Sequence, residues 1–155
     1  MGSTVVLIAY GRHDRGRLFP KTIRQIESLK EPLQDTIGGL EEDTYNVYYD
    51  GTDQAQETAG RMGLALHTEE AAREFLGCTS HLAPDEYDLS KALKLVEQAP
   101  EKKVIFFVTD PAYVSCFAKF YLSRMQKKAV MQGITQSEAV VIETDGTLHV
   151  ISPRD

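Results

Sequence analysis

The chain has 155 residues, of which 42% are hydrophobic and 26% charged, a composition typical of one globular domain with a sizeable core. Its net charge of -6 argues against a nucleic-acid partner, because such binding relies on an excess of Lys and Arg. From the length and composition we expect a single domain over residues 1–155. Cys78 and Cys116 lack metal-ligand spacing and do not indicate a disulfide framework, so we expect the protein in the reducing cytoplasm.

The first strand is predicted at Val5–Ile8, where consecutive apolar residues are typical of a central strand covered by helices on both faces. This run is too short to span a bilayer and follows no basic segment, so we expect neither a membrane anchor nor a signal peptide. Gly11 ends the strand and is followed by Arg12, His13, Asp14 and Arg15. These residues form either a ligand site at the carboxyl end of the strand or a solvated loop.

A helix is predicted from Thr22 to Thr36, with a kink or an early end near Lys30 because Pro32 lacks a backbone N–H. The β-branched and aromatic segment Thr44–Tyr49 predicts the second strand. The helix after it has either Thr52 or Asp53 as its N-cap. Further on, Glu69–Leu76 predicts a short helix.

The second half of the chain repeats this alternation. Helical spacing over Asp85–Ala99 precedes a second buried strand at Lys103–Thr109, which Asp110 and Pro111 terminate before another amphipathic helix. The closing hairpin is predicted at Ala139–Glu143 and Thr147–Ile151, joined by an Asp145-Gly146 turn. Together these elements predict a three-layer α/β/α sandwich with a mostly parallel central sheet and a C-terminal antiparallel hairpin.

In this order the segments resemble the histidine phosphatase superfamily, which has a phosphoglycerate mutase-like fold, and in size the small SixA-type phosphohistidine phosphatases. The opening strand with Arg12-His13 is similar to the family's strand-Arg-His-Gly motif. The segments YYDGTDQAQETAGRMGLAL and KVIFFVTDPAYVSCFAKFYL resemble the strands and helices that follow, and SEAVVIETDGTLHVIS resembles the closing hairpin.

The resemblance implies roles for several residues. His13 would accept the phosphoryl group, Arg12 would bind it, and Glu74 would donate a proton. Gln54 stands where the family has a second Arg, Asp110 stands where it has a second His, and Arg15 is a further candidate for phosphate binding. In an alternative register, Tyr10 and Gly11 take the family's Arg and His positions.

Catalysis of phosphoryl transfer depends on cationic and hydrogen-bonding groups around the phosphoryl oxygens, and Gln54 and Asp110 supply no positive charge. We therefore expect a histidine phosphatase-like domain with weak or no activity that binds a ligand or a protein. The alternatives are an active phosphohistidine or phosphomonoester phosphatase with His13 as nucleophile, and an unrelated flavodoxin-like module. A phosphate-containing small molecule or a phosphoprotein is the expected partner, with no cofactor, metal, nucleic acid or membrane.

Overall fold

The computed structural model of the chain describes residues 2–39, 41–64, 84–128 and 133–154. Its strands are β1 (Thr4–Ala9), β2 (His13–Asp14), β3 (Arg17–Leu18), β4 (Tyr45–Tyr49), β5 (Val104–Thr109), β6 (Ala139–Ile142) and β7 (Leu148–Ile151). Its helices are α1 (Pro20–Glu27), α2 (Lys30–Ile37), α3 (Asp53–Arg61), α4 (Glu86–Glu97) and α5 (Pro111–Arg124). The short helix predicted at Glu69–Leu76, and with it Glu74, lies outside the described residues. Within them, no helix is long and apolar enough to cross a membrane.

Five strands form one sheet in the order β4-β5-β1-β6-β7. β1 pairs in parallel with β5, and β5 with β4, whereas β6 runs antiparallel to β1 and β7 antiparallel to β6. The predicted parallel sheet with a C-terminal antiparallel hairpin is therefore confirmed. The flavodoxin-like alternative is wrong, because that fold is a doubly wound parallel sheet and here the strand next to β1 is reversed.

Consecutive residues of β1 belong to two different apolar clusters, one on each face of the sheet. Val5 and Leu7 lie in a cluster with the buried side chains of α4 and α5, while Val6 and Ile8 lie with those of α1, α2 and α3. Both faces are thus covered by helices, which is the predicted three-layer arrangement. Burial on both faces also explains why the apolar run of β1 shows no alternation.

The helix predicted between Thr22 and Thr36 is two helices, α1 and α2, which are separated at Ser28 and Leu29. Pro32 lies in the first turn of α2, where backbone N–H groups have no intrahelical partner, so its missing N–H costs little there. The early end predicted near Lys30 therefore takes the form of a new helix beginning at that residue.

The turn of the closing hairpin is one residue longer than an Asp145-Gly146 pair. The N–H of Glu143 donates to the carbonyl of Thr147, and the N–H of Gly146 donates to the carbonyl of Glu143, each at 2.9 Å. Gly146 has a φ of 89°, which places it in the left-handed region at the end of a three-residue loop.

Polar groups fix both ends of β1. At its amino end, Ser3 is 2% exposed, and its Oγ lies within hydrogen-bond distance of the carbonyl oxygens of Ala99 and Lys102. At its carboxyl end, the N–H of Tyr10 donates to the carbonyl of Thr109 at 3.0 Å. The strand ends at Ala9, so Tyr10 is the first residue beyond it.

Candidate functional site

The carboxyl ends of the three parallel strands β1, β4 and β5 lie side by side and are followed directly by Tyr10, Asp50 and Asp110. Gln54, in the first turn of α3, reaches the same place through a hydrogen bond with the side chain of Tyr10. We call Tyr10, Asp50, Gln54 and Asp110 the strand-edge site. Open α/β sheets bind their ligands at this edge.

Asp50 is the most enclosed acid of the strand-edge site, with 7% of its surface exposed. One carboxylate oxygen accepts hydrogen bonds from the N–H of Thr52 at 3.0 Å and from its hydroxyl at 2.6 Å. The other oxygen accepts from the hydroxyl of Thr109 at 3.1 Å. Burial raises the pKa of Asp50 and the charge of Asp110 adds to this effect, while the bonds from Thr52 and Thr109 oppose it. Asp50 thus ties β4 to β5 and to the start of α3.

Tyr10 is influenced by all three other residues of the strand-edge site. Burial raises the pKa of its phenol, the hydrogen bond with Gln54 acts in the opposite direction, and the charges of Asp50 and Asp110 raise the pKa further. A phenol with a raised pKa stays protonated at neutral pH. The site therefore combines a neutral phenol and a neutral amide with two carboxyl groups.

The two helix N-termini at the strand-edge site are capped by the chain itself. Asp110 is the N-cap of α5, where its Oδ1 accepts from the N–H of Tyr113 at 2.8 Å. Thr52, not Asp53, is the N-cap of α3 and accepts from the N–H of Ala55 at 3.3 Å. A helix N-terminus attracts anions through its unpaired N–H groups. Here side chains of the same chain already use part of that capacity.

Gly11 follows Tyr10 and is buried. A Cβ built on it would overlap Cγ2 of Thr22 and lie 2.5 Å from Oγ of Ser137. Ser137 is held beside it by a hydrogen bond from its N–H to the carbonyl of Ala9 at 3.1 Å. The space that a side chain at position 11 would need is therefore filled from two other elements.

Arg12 and Arg15 lie beyond the strand end, in the β2–β3 hairpin. Arg15 and Gly16 form its two-residue turn with φ values of 51° and 82°, the combination of a type I′ turn. Both arginines are exposed, and neither forms an ion pair with another described residue. The structure thus does not bring Arg12 into an ion pair with Asp50 or Asp110.

His13 lies in β2 and contacts the strand-edge site through Tyr10, with 5.5 Å between the two ring centroids. Both of its ring nitrogens are buried and have no hydrogen-bond partner among the residues that the structure describes. His13 is therefore at the border of the site, and no carboxylate in the described part of the chain holds its ring nitrogens.

Thr109 and Ser137 support this site but were not among the residues expected from the sequence. Thr109 could have been recognised as the last residue of a buried strand, where its hydroxyl faces the polar strand ends. No sequence signal identifies Ser137, which reaches Gly11 from the segment before β6. Among residues 2–39, 41–64, 84–128 and 133–154, no cluster of three or more His, Cys, Asp or Glu side chains is arranged to hold a metal ion.

No protein-family model and no curated protein matches the chain. Solved structures do match over its whole length. The product of open reading frame Rv3214 from Mycobacterium tuberculosis has a TM-score of 0.65 at 14% identity, over 99% of this chain and 98% of that one. The putative phosphohistidine phosphatase SixA from Agrobacterium tumefaciens has a TM-score of 0.63 at 12% identity, over 99% of both chains.

A phosphoglycerate mutase from Thermus thermophilus has a TM-score of 0.58 at 13% identity, over 98% of this chain and 99% of that one. The chain therefore has a phosphoglycerate mutase-like fold, as the sequence motifs predicted. Identities this low establish the fold and leave the activity to be argued from the site.

Proposed function

We propose that this chain is a histidine phosphatase-like domain that lacks phosphoryl-transfer activity and acts by binding a ligand or a partner protein. The observation that carries the proposal is the chemistry of the strand-edge site, where the first residue after β1 is Tyr10 and the second is Gly11. The family motif has its Arg and His directly after this strand. The end of β1 at Ala9 thus favours the register in which neither catalytic residue is present.

The charges of the strand-edge site oppose a phosphoryl group. Two like unit charges about 4 Å apart repel by about 4 kcal/mol at an effective dielectric constant near 20. Asp50 and Asp110, when ionised, would each repel a phosphate group bound at the strand-edge site, and Tyr10 and Gln54 carry no compensating positive charge. A site of this composition fits a neutral or cationic group better than a phosphate.

Three hydrogen-bond donors beside the strand-edge site are also committed to its carboxylates. The N–H and hydroxyl of Thr52 donate to Asp50, and the N–H of Tyr113 donates to Asp110. Stabilisation of a developing phosphoryl charge requires donors that are aimed at the reacting group before it arrives. These donors would have to abandon buried or partly buried carboxylates to serve that purpose.

The test is a hydrolysis assay of the purified chain with phosphoramidate and with p-nitrophenyl phosphate. We expect a rate that equals the buffer rate for the wild type, for His13→Gln and for the control His149→Gln, which alters a histidine of β7 that pairs with Glu143. An enzymatic rate that His13→Gln abolishes and His149→Gln preserves would refute the proposal.

One observation favours a second candidate, an active phosphatase with His13 as nucleophile. The ring nitrogens of His13 have no hydrogen-bond partner among the described residues, so no described neighbour occupies the lone pair that would attack phosphorus. Such an enzyme would form phosphohistidine when it is incubated with phosphoramidate. A phosphorus NMR signal of phosphohistidine that is absent from His13→Gln would support this candidate, and its absence from the wild type would exclude it.

The structural likeness to a putative phosphohistidine phosphatase supports a phosphoprotein as the class of partner. The two acids of the strand-edge site make it a poor place for the phosphate of such a partner. We therefore expect the polypeptide around a phosphorylated side chain, or a group without negative charge, to occupy the strand-edge site.

A further inference from the structure

Exposed cations concentrate in one stretch of the chain, although the net charge is -6. Between residues 11 and 24 the only acid is Asp14, and all the cationic side chains there are exposed. They are Arg12, Arg15, Arg17, Lys21 and Arg24. None of them forms an ion pair with any residue in the described part of the chain. This stretch therefore has an excess of positive charge although the protein is acidic.

Two of these cations line a concave pocket of about 220 Å³, which we call the α1 pocket, formed by Lys21, Arg24, Gln25 and Arg154. The first three residues project from one face of α1 because they are three and four positions apart. Among the residues that the structure describes, no carboxylate lines the pocket.

Arg154 is brought to the α1 pocket by its backbone. Its N–H donates to Oγ of Ser28 at 2.9 Å, and that hydroxyl donates to the carbonyl of Gln25 at 2.6 Å. Ser28 is the residue directly after α1, so these two bonds fix the chain near residue 154 across the end of the helix. A third cation, distant in sequence, thus completes a wall that α1 alone would leave open.

The stability of the helix explains only one of these charges, because Arg24 lies in the last turn of α1, where the helix dipole favours cations. Lys21 lies in the first turn of α1, where the helix dipole favours acidic residues, and that turn contains no acid. Phe19, the N-cap, makes no side-chain hydrogen bond to the first turn. Lys21 is therefore repelled by the positive end of the helix, and the three cationic side chains of the α1 pocket repel one another, so a bound anion would relieve this repulsion.

We propose that the α1 pocket binds a phosphate monoester group, carried either by a small molecule or by a phosphorylated side chain. Guanidinium groups bind phosphate oxygens through paired N–H donors, while Lys21 adds a point charge and Gln25 an amide donor. The volume accommodates such a group, since one water molecule takes about 30 Å³ of liquid. This site shares no residue with the strand-edge site and does not depend on whether that site is catalytic.

The test is a titration of the full chain followed by backbone amide shifts in NMR spectra. The probes are inorganic phosphate, a short peptide whose only charged side chain is one phosphoserine, and sodium chloride at matched ionic strength. We expect saturable shifts at residues 21–25 and at Arg154 with both phosphate probes. Removal of two cations by Arg24→Gln with Arg154→Gln should weaken binding about ten-fold or more.

The matched control is Lys94→Gln with Lys119→Gln, which removes two exposed cations from the other helical layer. It should leave the phosphate affinity within about two-fold of the wild type, because charges beyond a Debye length are largely screened. Tighter binding of the phosphopeptide would support a protein partner, and equal binding would support a small phosphorylated ligand. The proposal is overturned if chloride produces the same shifts or if Arg24→Gln with Arg154→Gln keeps the wild-type affinity. It is also overturned if phosphate shifts the amide signals of Tyr10 and Tyr113 instead of those at the α1 pocket. Catalysis at the strand-edge site is tested separately by the hydrolysis assay.

Discussion

Replacement of Gly11 by alanine tests whether the space beside β1 is as fully occupied as the structure indicates. The new Cβ would overlap Cγ2 of Thr22 and approach Oγ of Ser137 to 2.5 Å, whereas carbon atoms in contact are about 3.5 to 4.0 Å apart. Gly11 is not among the residues with positive φ, so the cost is steric and not conformational. Overpacking costs about 1 to 3 kcal/mol, and here two neighbours on separate elements must move, which favours the upper end.

Alanine also gives the unfolded chain less conformational freedom than glycine does, which offsets about 0.4 to 1 kcal/mol of this cost. We therefore expect Gly11→Ala to lower the free energy of unfolding by about 2 kcal/mol. Urea unfolding of the purified chain at neutral pH measures this. Gly60→Ala is the control, because the corresponding Cβ on α3 meets no atom within 4 Å and should be neutral or stabilising.

A second variant locates the clash. Thr22→Ser removes the methyl group closest to the new Cβ and alone should cost about 1 kcal/mol. In the double variant the two costs should not add, and the coupling should be about 1 kcal/mol or more. Strict additivity, or a Gly11→Ala chain as stable as the wild type, would refute the packing argument and with it the reason why position 11 has no side chain.

Two further predictions concern polar groups. Folding raises the pKa of Asp50, so its contribution to stability is present below the ordinary pKa and is lost as the pH rises through the raised value. Asp50→Asn keeps an acceptor for Thr52 and a donor for Thr109 but has no carboxyl group to ionise. Its stability relative to the wild type should therefore increase as the pH rises from the ordinary pKa to the raised pKa, by at most about 1.4 kcal/mol per pH unit in urea unfolding. A constant loss of stability at every pH would contradict this. Asp85 caps α4 in a reciprocal pair of hydrogen bonds with Asp88. In the same measurement, Asp85→Ala should lower the free energy of unfolding by about 1 kcal/mol and Asp85→Asn by much less. Equal losses would show that the side-chain hydrogen bond is not responsible.

The sequence predicts the strands and layers well because burial leaves a strong local signal. Uninterrupted apolar runs in β1 and β5 require two covered faces, and the helices that cover them show the matching spacing. The division between α1 and α2 is less visible, because Pro32 is compatible both with a kink and with the first turn of a new helix.

The exact end of β1 is the part of the site that local sequence does not specify. Ala9 and Tyr10 continue the apolar run, and the strand ends where pairing with β5 ends, at the partners Ala9 and Thr109. The short β2–β3 hairpin that carries His13 is also hard to predict, since each strand has only two residues. Contacts between distant segments, such as Ser137 beside Gly11, have no local signature at all.

Since β1 is apolar on both faces, a slip of one residue would still place hydrophobic side chains on each side of the sheet, and the pattern alone penalises it little. The two ends therefore do the aligning, with Ser3 anchored near Ala99 at one end and Tyr10 bonded to Thr109 at the other. Tyr10 and Thr109 therefore also help to set the register of β1 against β5. Variants at Tyr10 or Thr109 should accordingly be checked for a shifted strand before any change in binding is attributed to lost chemistry.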